Sequence, residues 1–265
     1  MASRAHLVRV WELCRSPARE PRALARIFGG IETVENLLRG IHKFQTTHFR
    51  VNQDLFAGLL TRQRPETLLI TCSDSRISPG LLTQSKPGDL FVLRNAGNIV
   101  PPYGAVAGGE GATIEYAITA LKVSHIVVMG HSHCGAMKGL VYPEEVAALP
   151  LVAAWLKHAE ATRAIIRENY PDCQGEDLLN AAIRENALVQ LDNLCTYPAV
   201  AARLAKSSLT LHGWIYQIES GQILAYDSEA SHFVPIRVEQ PLTGITRRRP
   251  SLRAATANPG TGRIA

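Results

Sequence analysis

Two short stretches carry residue types that can do chemistry together. "LLITCSDSR" (68–76) runs apolar and β-branched residues into Cys72, with Asp74 and Arg76 two and four positions on. "GHSHCGAMKG" (130–139) sets His131 and Cys134 as H-x-x-C directly behind another apolar run, "HIVVMG". Taken singly, each has a plain structural explanation. A buried cysteine packs like a small hydrophobe, and Asp74 with Arg76 reads as a turn ion pair. Together they point further. In an open parallel sheet, ligands gather at the carboxyl ends of strands, and both motifs follow a strand-like run. Cys72, His131 and Cys134 would then bring two thiolates and an imidazole to one spot, a donor set that suits Zn²⁺ rather than Mg²⁺ or Ca²⁺. Three protein ligands leave a fourth position for a reacting molecule, which is the pattern of a catalytic rather than a structural site.

The elements that must position these residues can be read from the pattern. "TLLITC" (67–72), "DLFVLRN" (89–95) and "HIVVMG" (125–130) read as strands, the first and third of buried type, and "NIVPPYGAVAGG" (98–109) as a Pro/Gly-rich loop. "EGATIEYAITALK" (110–122) has helical periodicity, a helix opens within "HSHCGAMKGL", and residues 150–204 read as a long helical region broken at Pro171 and Gly175. "SLTLHGWIYQI" (208–218) and "QILAYD" (222–227), parted by Glu-Ser-Gly, predict a hairpin. Alternating strands and helices imply an α/β fold: a central, mostly parallel sheet with flanking helices and antiparallel strands added near the C-terminus. "ENLLRGIHKFQTTHF" (35–49) reads as a helix with an apolar face at Leu37, Leu38, Ile41 and Phe44.

Charge placement argues against one class of partner. The chain carries +5 overall, but residues 1–28 hold six Arg and two Glu, and residues 241–265 hold five Arg and no acid, so the body between them is net −4. A basic nucleic-acid groove in the folded body is therefore not expected. No apolar run approaches the roughly 18 residues of a membrane span. Five cysteines suggest no disulfide framework and favour a reducing, cytoplasmic setting. Cys14, Cys173 and Cys195 lack metal-ligand spacing. The expected organisation is an N-terminal extension over 1–28, helical or poorly ordered, a catalytic domain over 29–240, and a basic disordered tail over 241–265. Glu12 and Glu20 weigh against residues 1–28 being an organellar targeting peptide.

C-x-D-x-R followed some 60 residues on by H-x-x-C resembles the β-class carbonic anhydrases. The resemblance extends over "CSDSRISPGLLTQSKPGDLFVLRNAGNIVPPYG", "GGEGATIEYAITALKVSHIVVMGHSHCGAMKGL", "LPLVAAWLKHAEATR" and "LTLHGWIYQIESGQILAYD". It spans roughly residues 30–235 and is greatest for the carboxysomal type of cyanobacteria and related bacteria. It implies the β-carbonic anhydrase fold, one Zn²⁺ per chain on Cys72, His131 and Cys134, and reversible hydration of CO₂ to bicarbonate and a proton by a zinc-bound hydroxide. Asp74 and Arg76 become the catalytic dyad that orients that hydroxide. Two thiolates cancel most of the zinc charge, so activity is expected to rise on the alkaline side.

The resemblance also implies a substrate pocket of Gln63, Phe91, Tyr116 and Gly135, with Gln63 often reaching across a dimer interface. For the two aromatics and Gly135, plain packing is the competing explanation. One branch of the family closes its site with the aspartate and carries Trp three residues before the first cysteine and Gly one before. Leu69 and Thr71 stand there in this chain, which implies the open site. A homodimer or multiple of dimers is expected, together with a carboxysome scaffold as a candidate partner of the tail. His133 is expected to point away from the metal and His125 to mark a surface strand end. The Asp and Glu residues of the helical region read as solvated faces. Two alternatives stand beside CO₂ hydration: hydrolysis of carbonyl sulfide or carbon disulfide on the same ligands, and a non-catalytic microcompartment assembly component.

Overall fold

The structure is a computed structural model that describes residues 34–105, 108–237 and 244–245. The extension at 1–28 with Cys14, and all of the tail except Gly244 and Ile245, lie outside the described residues. The chain divides into two compact units, Met1–Leu60 and Thr61–Ala265.

In the first unit, α1 (Val34–Lys43) runs into a π-helical turn at Phe44–His48 and a short helical piece at Phe49–Val51, and α2 (Gln53–Leu59) follows. The wider turn lets Phe44, Phe49 and Phe56 meet, with ring centroids 5.0 to 6.2 Å apart. The predicted apolar face of Leu37, Leu38, Ile41 and Phe44 is exposed in the single chain.

The second unit holds β1 (Thr67–Cys72), α3 (Pro79–Thr83), β2 (Leu90–Asn95) and α4 (Gly109–Tyr116), which continues as a π-helical turn over Ala117–Leu121. Then come β3 (His125–His131), α5 (Gly135–Val141), α6 (Pro150–Leu156), α7 (Glu160–Asn169), α8 (Gly175–Cys195) and α9 (Pro198–Ala205). β4 (Thr210–Tyr216), β5 (Ile223–Asp227) and β6 (His232–Pro235) close the series. The sheet order is β2-β1-β3-β4-β5-β6. The pairs among the first four strands are parallel, and β4–β5 and β5–β6 are antiparallel.

Burial explains the strand compositions. β1 and β3 sit inside the sheet with helices over them, so they are almost continuously apolar. Thr71, a polar residue inside β1, is fully buried and donates through Oγ1 to the Met129 carbonyl at 3.0 Å. Register sets the site: Thr71 lies opposite Met129, which carries Cys72 and His131 to the ends of neighbouring strands.

Helix α8 has two working faces. Leu188, Leu191 and Leu194 enter the core with Leu68, Ile70 and Val128. Asn186, Gln190 and Asn193, spaced four and three apart, form a polar stripe. Gln190 Oε1 accepts the Val100 amide at 2.9 Å, and Asn193 Nδ2 donates to the Val100 carbonyl at 2.8 Å. The Pro/Gly-rich loop, which has no ladder of its own, thus has its buried backbone groups satisfied by this helix. Glu185, expected on a solvated face, is instead buried and accepts the Tyr170 hydroxyl at 2.7 Å.

β6 adds a strand beyond the predicted hairpin. A second addition comes from the chain beyond residue 240. Ile245 forms a backbone bridge with Leu211, each amide donating to the other's carbonyl at 2.9 and 3.0 Å, and its side chain is 7% exposed in the core. β5 pairs with β4 only from Trp214 onward, so Ile245 covers backbone that would otherwise be an open edge. Ending the chain at residue 240 should therefore lower the unfolding midpoint. Losing the burial of one isoleucine costs about 2 kcal/mol, or about 4–8 °C for a domain of this size. Ending it at Ile245 should leave the midpoint within about 1 °C, and calorimetry on the two truncations checks this.

Candidate metal centre

Cys72 closes β1, His131 closes β3, and Cys134 is the N-cap residue of α5. One ligand atom from each lies within 4.8 Å of the other two, and all three residues are buried. Two sulfurs on one tetrahedral zinc, each at about 2.3 Å, stand about 3.8 Å apart, which lies within the spread of these three ligand atoms. His131 is oriented for it. Its Nδ1 lies 2.9 Å from the Ser132 carbonyl, which fixes the proton there, while its Nε2 is buried without a hydrogen-bond partner among the described residues. A buried polar nitrogen without a partner is costly, and a metal would satisfy it.

The thiols give the same indication. Cys72 is pulled down to about 4, first by its hydrogen bond with Cys134, and further by His131 and the backbone amides of Gly97 and Asp74. Burial opposes the shift. Cys134 is pushed well up by that same contact with Cys72 and by burial. Cys134 is thus held as a thiol against the Cys72 thiolate, and a soft cation in place of that proton would hold both sulfurs as thiolates. Soft sulfur with neutral imidazole is the donor set of zinc, so the residues fit that metal.

Asp74 and Arg76 stand beside the cluster. Arg76 grips the carboxylate in a fork, Nε to Oδ1 at 2.9 Å and an Nη to Oδ2 at 2.7 Å, and its own amide also donates to Oδ1 at 3.0 Å. This holds the Asp74 carboxyl well below the usual carboxylate range, Arg76's side-chain hydrogen bond being the largest cause. The same guanidinium donates to the His133 carbonyl at 3.1 Å, tying the dyad to the loop between His131 and Cys134. Asp74 Oδ2 lies 3.9 Å from His131 Nε2.

Arg94 was missed by sequence reasoning. On β2, opposite Thr71, it donates to the Cys72 carbonyl at 3.0 Å and the Asp74 carbonyl at 2.8 Å, holding the turn that carries the dyad. Only strand register could have pointed to it. Ser132 is a second such residue. Its hydroxyl donates to Glu219 at 2.6 Å and accepts the Ile218 amide at 2.9 Å, pinning the end of β3 to the β4–β5 turn. His133 points out between Glu176 at 3.2 Å and Glu219 at 3.6 Å, away from the cluster.

Of the pocket candidates, Gln63, Phe91 and Tyr116 are not gathered at this site. Gln63 is exposed ahead of β1, and the following Glu66 carbonyl accepts amides of Ser124 and His125 at the start of β3. Cys72 lies at the other end of β1, about 17 Å away along the strand. Phe91 pairs in register with Leu68 and packs against the core of Leu68 and Ile70, with the half-exposed Tyr116 ring 6.0 Å away. Gly135 sits beside Cys134, and a Cβ there would meet open space, so close packing does not explain the glycine. His125, expected as a surface strand end, is partly buried with its Nδ1 3.3 Å from His212 Nε2. That pair lines a cavity of about 740 Å³ with Thr67 and Trp214 at the amino ends of the strands, and His212 is pulled down to about 4, chiefly by burial.

Residues 67–223 match the family model described as carbonic anhydrase. The chain belongs to the β-class carbonic anhydrase family. A carbonic anhydrase of Synechocystis is 54% identical over 202 residues, covering 76% of this chain and 74% of that protein. One from Pseudomonas aeruginosa is 44% identical over 227 residues, covering 86% and 98%. Among solved structures, the β-carbonic anhydrase CcaA superposes with a TM-score of 0.76 at 53% identity, covering 78% of this chain and 93% of that one. A tetrameric β-carbonic anhydrase of Sordaria macrospora follows at 0.66 and 29%, covering 74% and 97%. The mixed six-stranded sheet is the fold of this family, and the chain is an enzyme of the carbonic anhydrase type. Among the described residues, no helix is long and apolar enough to cross a membrane.

Proposed function

We propose that the chain hydrates CO₂ to bicarbonate at a zinc ion held by Cys72, His131 and Cys134. The observation that carries this is the buried Nε2 of His131, without a hydrogen-bond partner among the described residues and grouped with two thiols, with the Asp74 carboxylate 3.9 Å away. Zinc there supplies an acidified water as the nucleophile. The chain's own residues do the rest. The Ser132 carbonyl holds the His131 proton on Nδ1, leaving Nε2 to the metal. Asp74 offers a fixed acceptor beside the ligands, and Arg76 fixes its direction through two hydrogen bonds.

Gln63, Phe91 and Tyr116 belong to this proposal as pocket residues supplied by another copy, since one chain does not gather them. That supports a dimer or a multiple of dimers. A carboxysome location, with a scaffold recruited by the basic segment 241–265, is the finer reading of the tail's five arginines.

Stopped-flow CO₂ hydration with zinc determined on the same sample tests the function. About one zinc per chain is expected, with carbonyl sulfide and carbon disulfide turned over at least about 100-fold more slowly, as expected when a site is matched to one transition state. Faster hydrolysis of either sulfur compound would reassign the substrate, and a zinc-loaded protein inert toward all three would support the assembly reading.

A further inference from the structure

We propose that Asn186 is a positioning residue for the metal centre. By holding the carbonyl of Gly97 it keeps that residue's N–H on the Cys72 sulfur. This rests on the zinc reading above and assigns to that centre a residue from helix α8.

The Gly97 amide donates to Cys72 Sγ at 3.4 Å, and the carbonyl of Gly97 accepts from Asn186 Nδ2 at 3.0 Å. Asn186 is 1% exposed and is itself aimed by its neighbours. Its Oδ1 accepts from Gln190 Nε2 at 2.8 Å and from the Thr162 hydroxyl at 3.3 Å, which directs the amide nitrogen toward Gly97. The preceding carbonyl, Ala96, accepts the Trp155 indole N–H at 2.8 Å. Gly97 has a φ of +81°, and a Cβ there would lie 3.0 Å from both Ala136 Cβ and Met137 Cε. Only glycine fits this wedge between the Cys72 sulfur and the first turn of α5. Gly97 is therefore set from four sides: its carbonyl by Asn186, the peptide that carries its N–H by Trp155 and the sulfur, and its Cα by α5.

An N–H on a thiolate draws electron density from the sulfur and makes it a weaker donor to its metal. Residues of this kind beyond the ligands change metal affinity or activity by about 10- to 100-fold. The long helix reaches Gly97 from about 90 residues further along the chain.

The test uses the full-length protein with Co²⁺ in place of zinc. Asn186→Leu removes the donor, and Asn186→Asp keeps the acceptor for Gln190 and Thr162 while losing the N–H toward Gly97. Asn193→Leu is the control, since it breaks the same polar stripe at Val100 without touching Gly97. In both Asn186 variants the sulfur-to-cobalt charge-transfer band should move to lower energy, as expected of a sulfur that has become the stronger donor. In the control the band should stay in place. A band that moves in none of them, or equally in all three, overturns the positioning role. A parent protein with no sulfur-to-cobalt band overturns the metal reading instead. If the Asn186 variants do not fold, the parent loaded with cadmium-113 decides: the Gly97 amide proton should show scalar coupling to the metal, and its absence overturns the proposal.

Discussion

Replacing Cys134 with serine should remove the zinc and with it the hydration of CO₂. Cys134 is 1% exposed, and its sulfur lies within 4.8 Å of the ligand atoms of Cys72 and His131. A serine hydroxyl stays protonated at neutral pH and is a hard oxygen donor, so the site would keep one thiolate and one imidazole. Zinc per chain should fall from about one to below about a tenth, and hydration by more than the roughly 100-fold typical of losing a residue that only supports a ligand. The substitution separates metal loss from fold loss. Cys134 sits at the N-cap of α5, where the amides of Ala136 and Met137 face its sulfur, and serine is a preferred N-cap residue that can accept from the same amides. The start of α5 should therefore be no weaker in the variant. Circular dichroism should be unchanged while metal content collapses, and a Cys134→Ser protein with a full complement of zinc would overturn the ligand assignment.

The strand ends and the metal cluster were legible in the sequence because buried parallel strands are apolar throughout and end abruptly at the residues that do chemistry. "TLLITC" is strand β1 to the residue, and "HIVVMG" falls one residue short of β3 because His131 itself completes the ladder with Tyr216. Other parts left no local signal. Strand β6 is four residues long and ends at Pro235, so it shows neither alternation nor length. Ile245 enters the core through a single bridged pair, which no periodicity can announce, in a segment whose composition reads as a tail. Arg94 looks like a surface residue of an edge strand until the register places it over the Cys72 and Asp74 carbonyls. Gln63, Phe91 and Tyr116 illustrate a different limit. Matching residues to a family pattern names side chains without saying where a single chain places them.

Asp74→Asn and Arg76→Ala should both keep zinc and lose most CO₂ hydration, for different reasons. Neither side chain is among the three that converge as ligands, so metal content should remain at about one per chain in both. Asparagine keeps the size of Asp74 but turns an amide toward a guanidinium that needs an acceptor, so the fork seen at 2.7 and 2.9 Å cannot form. Misplacing an orienting group by about 1 Å costs about 100-fold, and a fall of that order is expected. Ionisation does not explain the loss in Arg76→Ala. Without its partner, Asp74 would climb back toward its ordinary 3.8, which still leaves it charged at neutral pH. What Arg76 supplies there is direction. Freed from it, the carboxylate at 3.9 Å from His131 Nε2 needs only a small rotation to join the metal ligands and block the site. Arg76→Ala should thus release zinc to a chelator more slowly than the parent, while Asp74→Asn should match the parent. The sign of the pH effect follows from the lowered Asp74 value. The pair's stabilisation is present above 3.8 and is lost as pH falls through the folded-state value. The urea midpoint gap between parent and Arg76→Ala should be widest near neutrality and close in strong acid. Parent-like turnover in either variant, or a gap that widens in acid, would show that this pair does not orient the reaction.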